Sequence, residues 1–455
     1  MTTPLVLRSV TGAGDVLTPA ALQFLGELET RFGSSLRALL SARKTQQNVY
    51  SAGYLPDFLS ETNDIRSGDW KAASSPLACR SIGGHGPADK SSLSAAILAG
   101  VEAFLADLED ATSPRFDHMI EAQANLSSLK GEDTTVIVRP RALHVQEDNL
   151  LVAGRPMSAA LFDFGLHAFH NAEALVKRGT GPVYGLAKLE NHREARLWND
   201  IFMFTEDRLA LVPDTIKAVA QIETLRAAFE MDEIIHELRG RILGLSGNLT
   251  NFAHSYIKVL RSKPDCVLPH RNRLTMDQDI LATYATRLKA ACERRGIQSL
   301  GMMPEASPPP LSCRPEPDQA LTPLAFDICQ TDVQENISLA IECLANRISG
   351  KGRGVINSKR EDGASAELAT AQIWQWIHHE VPVTLDDGST RHMDADWLAQ
   401  LLQTEVARIL EANGSREFHR KHYGSAMRIF QNAATADVLP DFVASAAYDV
   451  MNALD

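Results

Sequence analysis

Residues 161–229 read LFDFGLHAFHNAEALVKRGTGPVYGLAKLENHREARLWNDIFMFTEDRLALVPDTIKAVAQIETLRAAF, and they contain the clearest alternation of strand and helix patterns in the chain. Its runs GPVYGLAKLE (181–190) and DTIKAVAQIE (214–223) have the length and apolar composition of fully buried strands. The segments 160–179 and 224–240 have the apolar spacing of helices. Because strands and helices alternate, the stretch predicts a parallel β/α architecture.

The same alternation continues on both sides of this stretch. Further buried strands are predicted at 101–110, 134–142, 241–248 and 299–304. Six runs of this kind with intervening helices indicate a TIM-type β/α barrel. Residues 321–330 (LTPLAFDICQ) are a candidate for its eighth strand.

Helical segments flank the predicted barrel. Thr18 and Pro19 form an N-cap and a first helical position, and they open an amphipathic segment that extends to residue 49. Residues 305–325 are proline-rich and indicate a linker or an irregular loop, after which the pattern is helical again. The predicted domains are a helical N-terminal segment (1–79), the barrel (80–330) and a helical C-terminal domain (331–455).

Composition excludes several classes of protein. The net charge is −12 with a pI near 5.6, which argues against a protein that binds nucleic acid or a membrane surface. The sequence has neither a run of about 20 apolar residues nor a secretory signal, so we expect a cytoplasmic protein. The six cysteines form no C-x-x-C pair, so neither a zinc site nor a disulfide framework is indicated.

Charged residues follow the ends of the predicted strands, where the catalytic residues of β/α barrels lie. A single charge at a strand end is as readily a solvated group as a functional one, but these residues follow four successive strands. They are Asp107, Glu109, Asp110, Arg139, Arg141, Lys188, Glu190 and Glu223.

The sequence resembles the malate synthase family in its shorter, A-type bacterial and plant form. The resemblance is carried by residues 161–229, by VIVRPRALH (136–144), which is similar to the family's VRxRGxH, and by 358–380, SKREDGASAELATAQIWQWIHHE. It implies a magnesium enzyme of the glyoxylate cycle, an acyltransferase that condenses acetyl-CoA with glyoxylate. It also implies that the helical C-terminal domain carries the catalytic aspartate.

Catalytic roles for two residues follow from the resemblance. Asp362 matches the family's catalytic base, and Arg139 matches the arginine that stabilises the enolate. From the pattern alone, Asp362 is a helix cap and Arg139 a partner for the acids of residues 105–114. Candidates for binding the substrate or acetyl-CoA are Arg141, Glu109, Asp110 and Lys188.

The metal-binding segment departs from the family. Glu223 matches one carboxylate ligand of the family's Mg²⁺, but GLSGNLTNFAHSYIK (244–258) replaces the GRWDY segment and puts Asn251 at the second ligand. An amide oxygen can ligate a hard cation without contributing charge, whereas Mg²⁺ favours carboxylates. The sequence therefore predicts weakened metal binding and altered contacts to glyoxylate.

A GTWVAHP-like strand of the family, part of its acetyl-CoA site, has no counterpart here. The leading hypothesis is malate-synthase-type condensation. The first alternative is an enzyme of the same fold that uses another α-oxo acid, or an acyl thioester delivered on an acyl carrier protein. The second is a non-catalytic relative, which the altered metal segment favours and the retained Asp362, Arg139 and Glu223 disfavour.

Overall fold

The computed structural model describes residues 4–75, 77, 79, 81–129, 134–275, 279–301, 326–356 and 358–454. The chain forms two compact units. The first unit comprises residues 1–48, 56–248 and 286–303, and the second comprises 49–55, 249–285 and 304–455. The expected linker at 305–325, with Cys313, lies outside the described residues.

The strands are short, and each of the longer ones contains apolar residues in succession. They are β1 (Leu5–Val6), β2 (Gly84–Gly86), β3 (Ala103–Asp107), β4 (Thr135–Arg139), β5 (Gln146–Val152), β6 (Arg155–Ser158), β7 (Val183–Leu186), β8 (Lys217–Ile222), β9 (Ile242–Gly247), β10 (Gln298–Leu300), β11 (Ile328–Cys329), β12 (Gly354–Ile356), β13 (Lys359–Glu361), β14 (Pro382–Thr384) and β15 (Thr390–His392).

The helices range from single turns to long rods. They are α1 (Ala13–Val16), α2 (Pro19–Ser51), α3 (Asn63–Ser67), α4 (Lys90–Leu98), α5 (Phe116–Ser128), α6 (Ala159–Arg178), α7 (His192–Arg208), α8 (Met231–Glu237), α9 (Leu249–Val259), α10 (Asp279–Arg295), α11 (Gln330–Ile348), α12 (Gly363–His378), α13 (Ala395–Arg420), α14 (Tyr423–Ala434) and α15 (Val443–Leu454).

A seven-stranded parallel sheet is the centre of the first unit. Its strand order is β10-β9-β8-β7-β4-β3-β2. Strands β3, β7 and β8 are buried along nearly their whole length, as expected for parallel strands covered on both faces. The predicted α/β class with a parallel β/α sheet is therefore confirmed.

Side chains from across the sheet meet in one apolar cluster, so the sheet curls around it. The cluster contains Leu105 of β3, Val219 of β8 and Leu300 of β10, together with one residue each from β4, β7 and β9. A Cβ built on Gly301, after β10, would lie 3.8 Å from the Ile82 side chain, which precedes β2. The two edges of the sheet therefore approach each other, as the interior layer of a β/α barrel requires.

Two expectations for the barrel were wrong. The eighth strand expected at 321–330 is absent from the described part of that segment, because β11 pairs with β14 in a separate small sheet. The helix expected at 224–240 is broken into a 3-10 turn, Ala227–Phe229, and the short helix α8. Its apolar pattern is nevertheless buried, since Phe229, Ile234 and Ile235 are in the core.

The first unit also contains a small antiparallel sheet of order β1-β5-β6, which the sequence pattern did not predict. The N-terminal helix was predicted correctly. It begins at Pro19, and the Ala21 N–H donates to the Thr18 hydroxyl at 3.2 Å, so Thr18 caps the helix.

The second unit is mainly helical, as predicted for the C-terminal residues. Its core is formed by α11, α12, α14 and α15 together with parts of α13. Trp374 and Trp376 are buried in this unit, and their indole N–H groups donate to backbone carbonyls. The β12-β13 hairpin leads directly into α12.

Candidate active site

Charged side chains gather at the carboxyl ends of the parallel strands in the first unit. Asp107 ends β3 and Arg139 ends β4, and these two residues are opposite each other in the strand register. Lys188 follows β7 by two positions, and Glu223 comes directly after β8. Because the strands are parallel, their carboxyl ends meet at one edge. The charged side chains of these four residues therefore lie at the strand ends from which the sequence pattern projected them.

The Arg139 guanidinium is the centre of this cluster. One of its nitrogens, Nη1, donates to Asp107 at 3.0 Å and to Asp110 at 2.8 Å. The other, Nη2, donates to both carboxylate oxygens of Glu223, at 2.8 and 3.1 Å. Burial disfavours the charged form, but the carboxylates outweigh it and raise the pKa of Arg139 well above its usual value. Arg139 is therefore a fixed, permanently charged group with a defined orientation.

Lys188 is the second cation of the cluster. Its ammonium donates to Glu109 at 2.7 Å and to Asp110 at 2.9 Å, and its backbone N–H donates to Glu223 at 2.7 Å. Burial acts to lower the pKa of Lys188, but Asp110 and Glu109 more than reverse this and raise it. We name the six residues of this network the strand-end cluster: Asp107, Glu109, Asp110, Arg139, Lys188 and Glu223.

Backbone groups order the loop after β3. The N–H groups of Glu109 and Asp110 both donate to Oδ1 of Asp107, at 2.9 and 3.0 Å. The Ala142 N–H donates to Glu109 at 2.8 Å. The two acids are therefore held in place before any ligand arrives, which is the pre-organisation that an electrostatic site needs.

Arg141, a weaker candidate for substrate binding, has other carboxylate partners. Its guanidinium donates to Asp163 at 2.9 and 2.8 Å, and it lies 3.0 Å from Glu147. Burial raises the pKa of Asp163, although Arg141 opposes that shift. These contacts fix the loop after β4 from the side of α6. They support a scaffolding role for Arg141 at least as well as a substrate contact.

Asp362, the proposed base, lies in the second unit at the N-terminus of α12. Its carboxylate accepts a hydrogen bond from the Ala364 N–H at 3.1 Å, so the helix-cap interpretation is correct. A helix N-terminus favours a negative charge, and a carboxylate must be ionised to accept a proton. Capping and base catalysis are thus compatible.

The residue before the proposed base is firmly anchored. Glu361 ends β13, and both of its carboxylate oxygens accept from Arg271, at 3.2 and 2.9 Å. The Ser365 hydroxyl donates to the same carboxylate at 2.5 Å. These bonds fix the turn that presents Asp362.

The expected magnesium ligands do not fit a site with two carboxylates. Asn251 is a buried, neutral residue in the first turn of α9, and both oxygens of Glu223 are engaged by Arg139. The strand-end cluster has four formal negative charges against two positive ones, which would attract a cation. However, no group of three or more His, Cys, Asp or Glu side chains in the described parts of the chain is arranged to hold a metal ion.

Two residues that the sequence reasoning missed contact this region. His85 of β2 lies 3.7 Å from Asp107, in the glycine-rich stretch GGHGPADK (83–90). Arg43 of α2 donates to the Lys188 carbonyl at 3.0 Å and to Glu194 at 2.6 and 2.7 Å. An arginine on an N-terminal helix has no local sequence pattern that would have marked it.

The cysteines and the helices bear on two further features, disulfide bonds and membrane spans. None of the five described cysteines forms a disulfide. In the regions that the structure describes, every helix is too short or too polar to cross a membrane.

Comparison with known proteins matches three family models in order along the chain. They describe the N-terminal domain (3–64), the TIM barrel domain (135–314) and the C-terminal domain (327–451) of malate synthase. A malate synthase of Myxococcus xanthus is 33% identical over 96% of this chain and 94% of that protein. Malate synthase A of Escherichia coli is 32% identical over 96% of each chain, and a glyoxysomal malate synthase of Zea mays is 30% identical over 96% of this chain and 93% of that protein. With three domain models matched in order and such identity over nearly its whole length, the chain belongs to the malate synthase family.

Proposed function

We propose that this protein is an acyltransferase that condenses acetyl-CoA with glyoxylate and releases malate and CoA. The observation that carries the proposal is the fixed Arg139 guanidinium among Asp107, Asp110 and Glu223 at the strand ends of a malate synthase barrel. The reaction develops negative charge on an oxygen atom, and a pre-organised cation stabilises such charge without reorganising.

In the proposed reaction, the Asp362 carboxylate takes a proton from the methyl group of acetyl-CoA. The resulting enolate has negative charge on the thioester oxygen, and Arg139 is the group proposed to stabilise it. The enolate carbon then attacks the aldehyde carbon of glyoxylate, forming the new carbon–carbon bond and an alkoxide that takes up a proton. Water finally cleaves the thioester, and the products are malate and the free thiol of CoA.

Four further charged residues have proposed roles in substrate binding. Lys188 contacts both Glu109 and Asp110, so the proposed part of these three residues in substrate binding is to shape and charge the site as one network. A direct substrate contact by Arg141 stays a prediction, since Asp163 and Glu147 engage its guanidinium.

We propose that Mg²⁺ binds this protein weakly, because Asn251 brings no charge and Arg139 engages Glu223. A location in the cytoplasm also stays a prediction.

An assay of thiol release tests the proposed function. The purified protein is incubated with acetyl-CoA, with and without glyoxylate, and with and without Mg²⁺, while the free thiol of CoA is followed by a chromogenic reagent. We expect thiol release that depends on glyoxylate and yields malate in equal amount. Replacing glyoxylate by pyruvate tests the alternative that another α-oxo acid is the acceptor. Absence of thiol release with every acceptor would favour the non-catalytic alternative.

A further inference from the structure

Lys188 has an unusual backbone conformation. Its φ is +51°, in the left-handed region that residues with a Cβ rarely adopt and that glycine adopts easily. A side chain is nevertheless retained at this position, in the middle of the strand-end cluster. Such a conformation persists only where the surroundings hold it, and residues of this kind concentrate at functional sites.

Charged side chains from two other elements hold the Lys188 backbone. Its N–H donates to the carboxylate of Glu223, after β8, at 2.7 Å. Its carbonyl oxygen accepts from Nη2 of Arg43, on α2, at 3.0 Å. Both polar groups of this residue's backbone are therefore fixed by buried ions rather than by the sheet.

The backbone conformation determines where the ammonium lies. From this position Nζ reaches Glu109 at 2.7 Å and Asp110 at 2.9 Å. The second oxygen of Asp110 accepts from Arg139 at 2.8 Å. Lys188 is thus connected to Arg139 through Asp110 on one side and through Glu223 on the other, and a shift of Lys188 would displace the partners that orient Arg139.

Arg43 itself is held rigidly. It is 8% exposed, and its guanidinium forms two bonds to Glu194 of α7, at 2.6 and 2.7 Å. Glu194 also accepts from the Glu190 N–H at 2.8 Å, which fixes the loop that follows Lys188. The planar guanidinium makes two bonds to a carboxylate while its Nη2 also donates to a carbonyl, and an ammonium cannot reproduce that geometry.

We propose that Arg43 is a positioning residue for the reaction. It holds Lys188 in the left-handed conformation, and through Lys188 it keeps the side chains of Asp110, Glu223 and Arg139 in their observed positions. The N-terminal helix α2 thereby contributes to the active site although it contributes no residue to the strand-end cluster. The catalytic part of this inference rests on the proposed function, whereas its structural part does not.

Three variants separate positioning from stability. Arg43→Lys keeps a cation opposite buried Glu194 but loses the planar guanidinium that bonds Glu194 and the Lys188 carbonyl. Arg43→Gln removes the charge as well. Arg37→Gln is the matched control. Arg37 lies on the same helix and its substitution also removes an ion pair, to Glu29, but the Arg37 side chain is 44% exposed and does not contact the strand-end cluster. If Arg43→Gln fails to fold, Arg43→Lys still carries the test.

The first measurement needs no enzymatic activity. Methyl acetimidate reacts with amines that are not held in ion pairs, and mass spectrometry of the peptide that contains Lys188 gives the rate at that residue. The Lys188 side chain is 7% exposed and paired with two carboxylates, so we expect slow modification in the wild-type protein and in Arg37→Gln. We expect Arg43→Lys to be modified at least about tenfold faster, because a local opening that is 1.4 kcal/mol easier is ten times more populated.

The second measurement is the kinetics of the same proteins with acetyl-CoA and glyoxylate. Misplacement of a catalytic group lowers kcat by up to on the order of 10²-fold, and we expect Arg43→Lys to lose kcat with little change in the KM for acetyl-CoA. The inference would be overturned if Lys188 in Arg43→Lys were modified at the same rate as in the wild-type protein, or if kcat were unchanged. If the wild-type protein itself releases no thiol, the proposed function fails, and the modification rates still decide whether Arg43 holds Lys188.

Discussion

Glu109 keeps its negative charge although it lies in the protein interior. Burial is the largest influence and raises the pKa of this carboxyl, but Lys188, His144 and Arg139 together outweigh burial and bring the pKa of Glu109 to about 2. An unfolded glutamate titrates near pH ~4.3. Since the folded protein binds this proton less readily than the unfolded chain, Glu109 contributes stability above about pH 4.3, and the contribution is lost as the pH falls towards about 2.

Substituting Glu109 tests this balance. Glu109→Gln leaves Lys188 buried with one carboxylate partner fewer, so we expect the free energy of unfolding at pH 7 to fall by about 3 kcal/mol. The variant should also lose less stability than the wild type between about pH 4 and pH 2. Urea denaturation across this range measures both effects. Glu173→Gln, in an exposed pair with Lys177, should match the wild type, and equal losses in the two variants would contradict the account.

Asp362 is the residue on which the proposed chemistry depends most. Asp362→Asn keeps the shape of the side chain and an oxygen that can cap α12, but it removes the proton acceptor. We expect turnover to fall by on the order of 10² to 10⁴ with an unchanged melting temperature. Steady-state kinetics and thermal unfolding together check this. Wild-type turnover in the variant would remove Asp362 from the mechanism.

At the scale of elements, the sequence predicts those whose burial leaves a simple pattern. Strands β3, β4, β7, β8 and β9 are mostly apolar runs, and the ends of the first four could be located from the charges at or just after them. The β2 strand, Gly84–Gly86, was missed because glycine has little strand propensity, so its pairing with β3 comes from tertiary context.

The sequence likewise predicts only part of the site, because contacts between distant segments leave no local pattern. Charges at strand ends can be predicted, because parallel strands bring their carboxyl ends together. The orientation of Arg139 depends on which carboxylates accept from each of its guanidinium nitrogens, and the sequence does not specify these pairings. Arg43 reaches the site across 145 residues of sequence, and no local pattern encodes such a contact.

The altered metal segment gives a prediction for α9. Asn251 is in the first turn of this helix, where a carboxylate is favourable to the helix dipole, so Asn251→Asp should be tolerated. We expect Asn251→Asp to bind Mg²⁺ more tightly than the wild type, because Mg²⁺ prefers carboxylate ligands. Calorimetric titration measures both affinities. Equal affinity, or binding that persists after Glu223→Ala, would show that the ligands are wrongly assigned.

At the scale of the whole molecule, the family models cover most of the chain in the order of the predicted domains. The predicted boundaries at 79/80 and 330/331 stay a prediction. With a net charge of −12, the protein gains no general attraction for the polyanionic CoA, so local cations must bind it.

The identity of the acyl donor is a prediction at this scale. Because a GTWVAHP-like segment has no counterpart in the sequence, contacts to the nucleotide end of CoA should be reduced, and we expect free acetyl-CoA to be used with a raised KM. The competing hypothesis is an acetyl group on the phosphopantetheine arm of a carrier protein. Both donors are offered in one assay with glyoxylate. Saturation by micromolar acetyl-CoA without turnover of the carrier-bound group would exclude the carrier, and the reverse preference would exclude free acetyl-CoA as the donor.

Isotope labelling of the methyl group distinguishes condensation from simple thioester hydrolysis. Acetyl-CoA with three deuterons on its methyl carbon is incubated with glyoxylate and the protein, and the product is analysed by mass spectrometry. Removal of one methyl deuteron followed by carbon–carbon bond formation predicts malate that retains two deuterons, formed at least about 10²-fold more slowly by Asp362→Asn. Release of fully deuterated acetate without labelled malate would show simple thioester hydrolysis and would contradict the account.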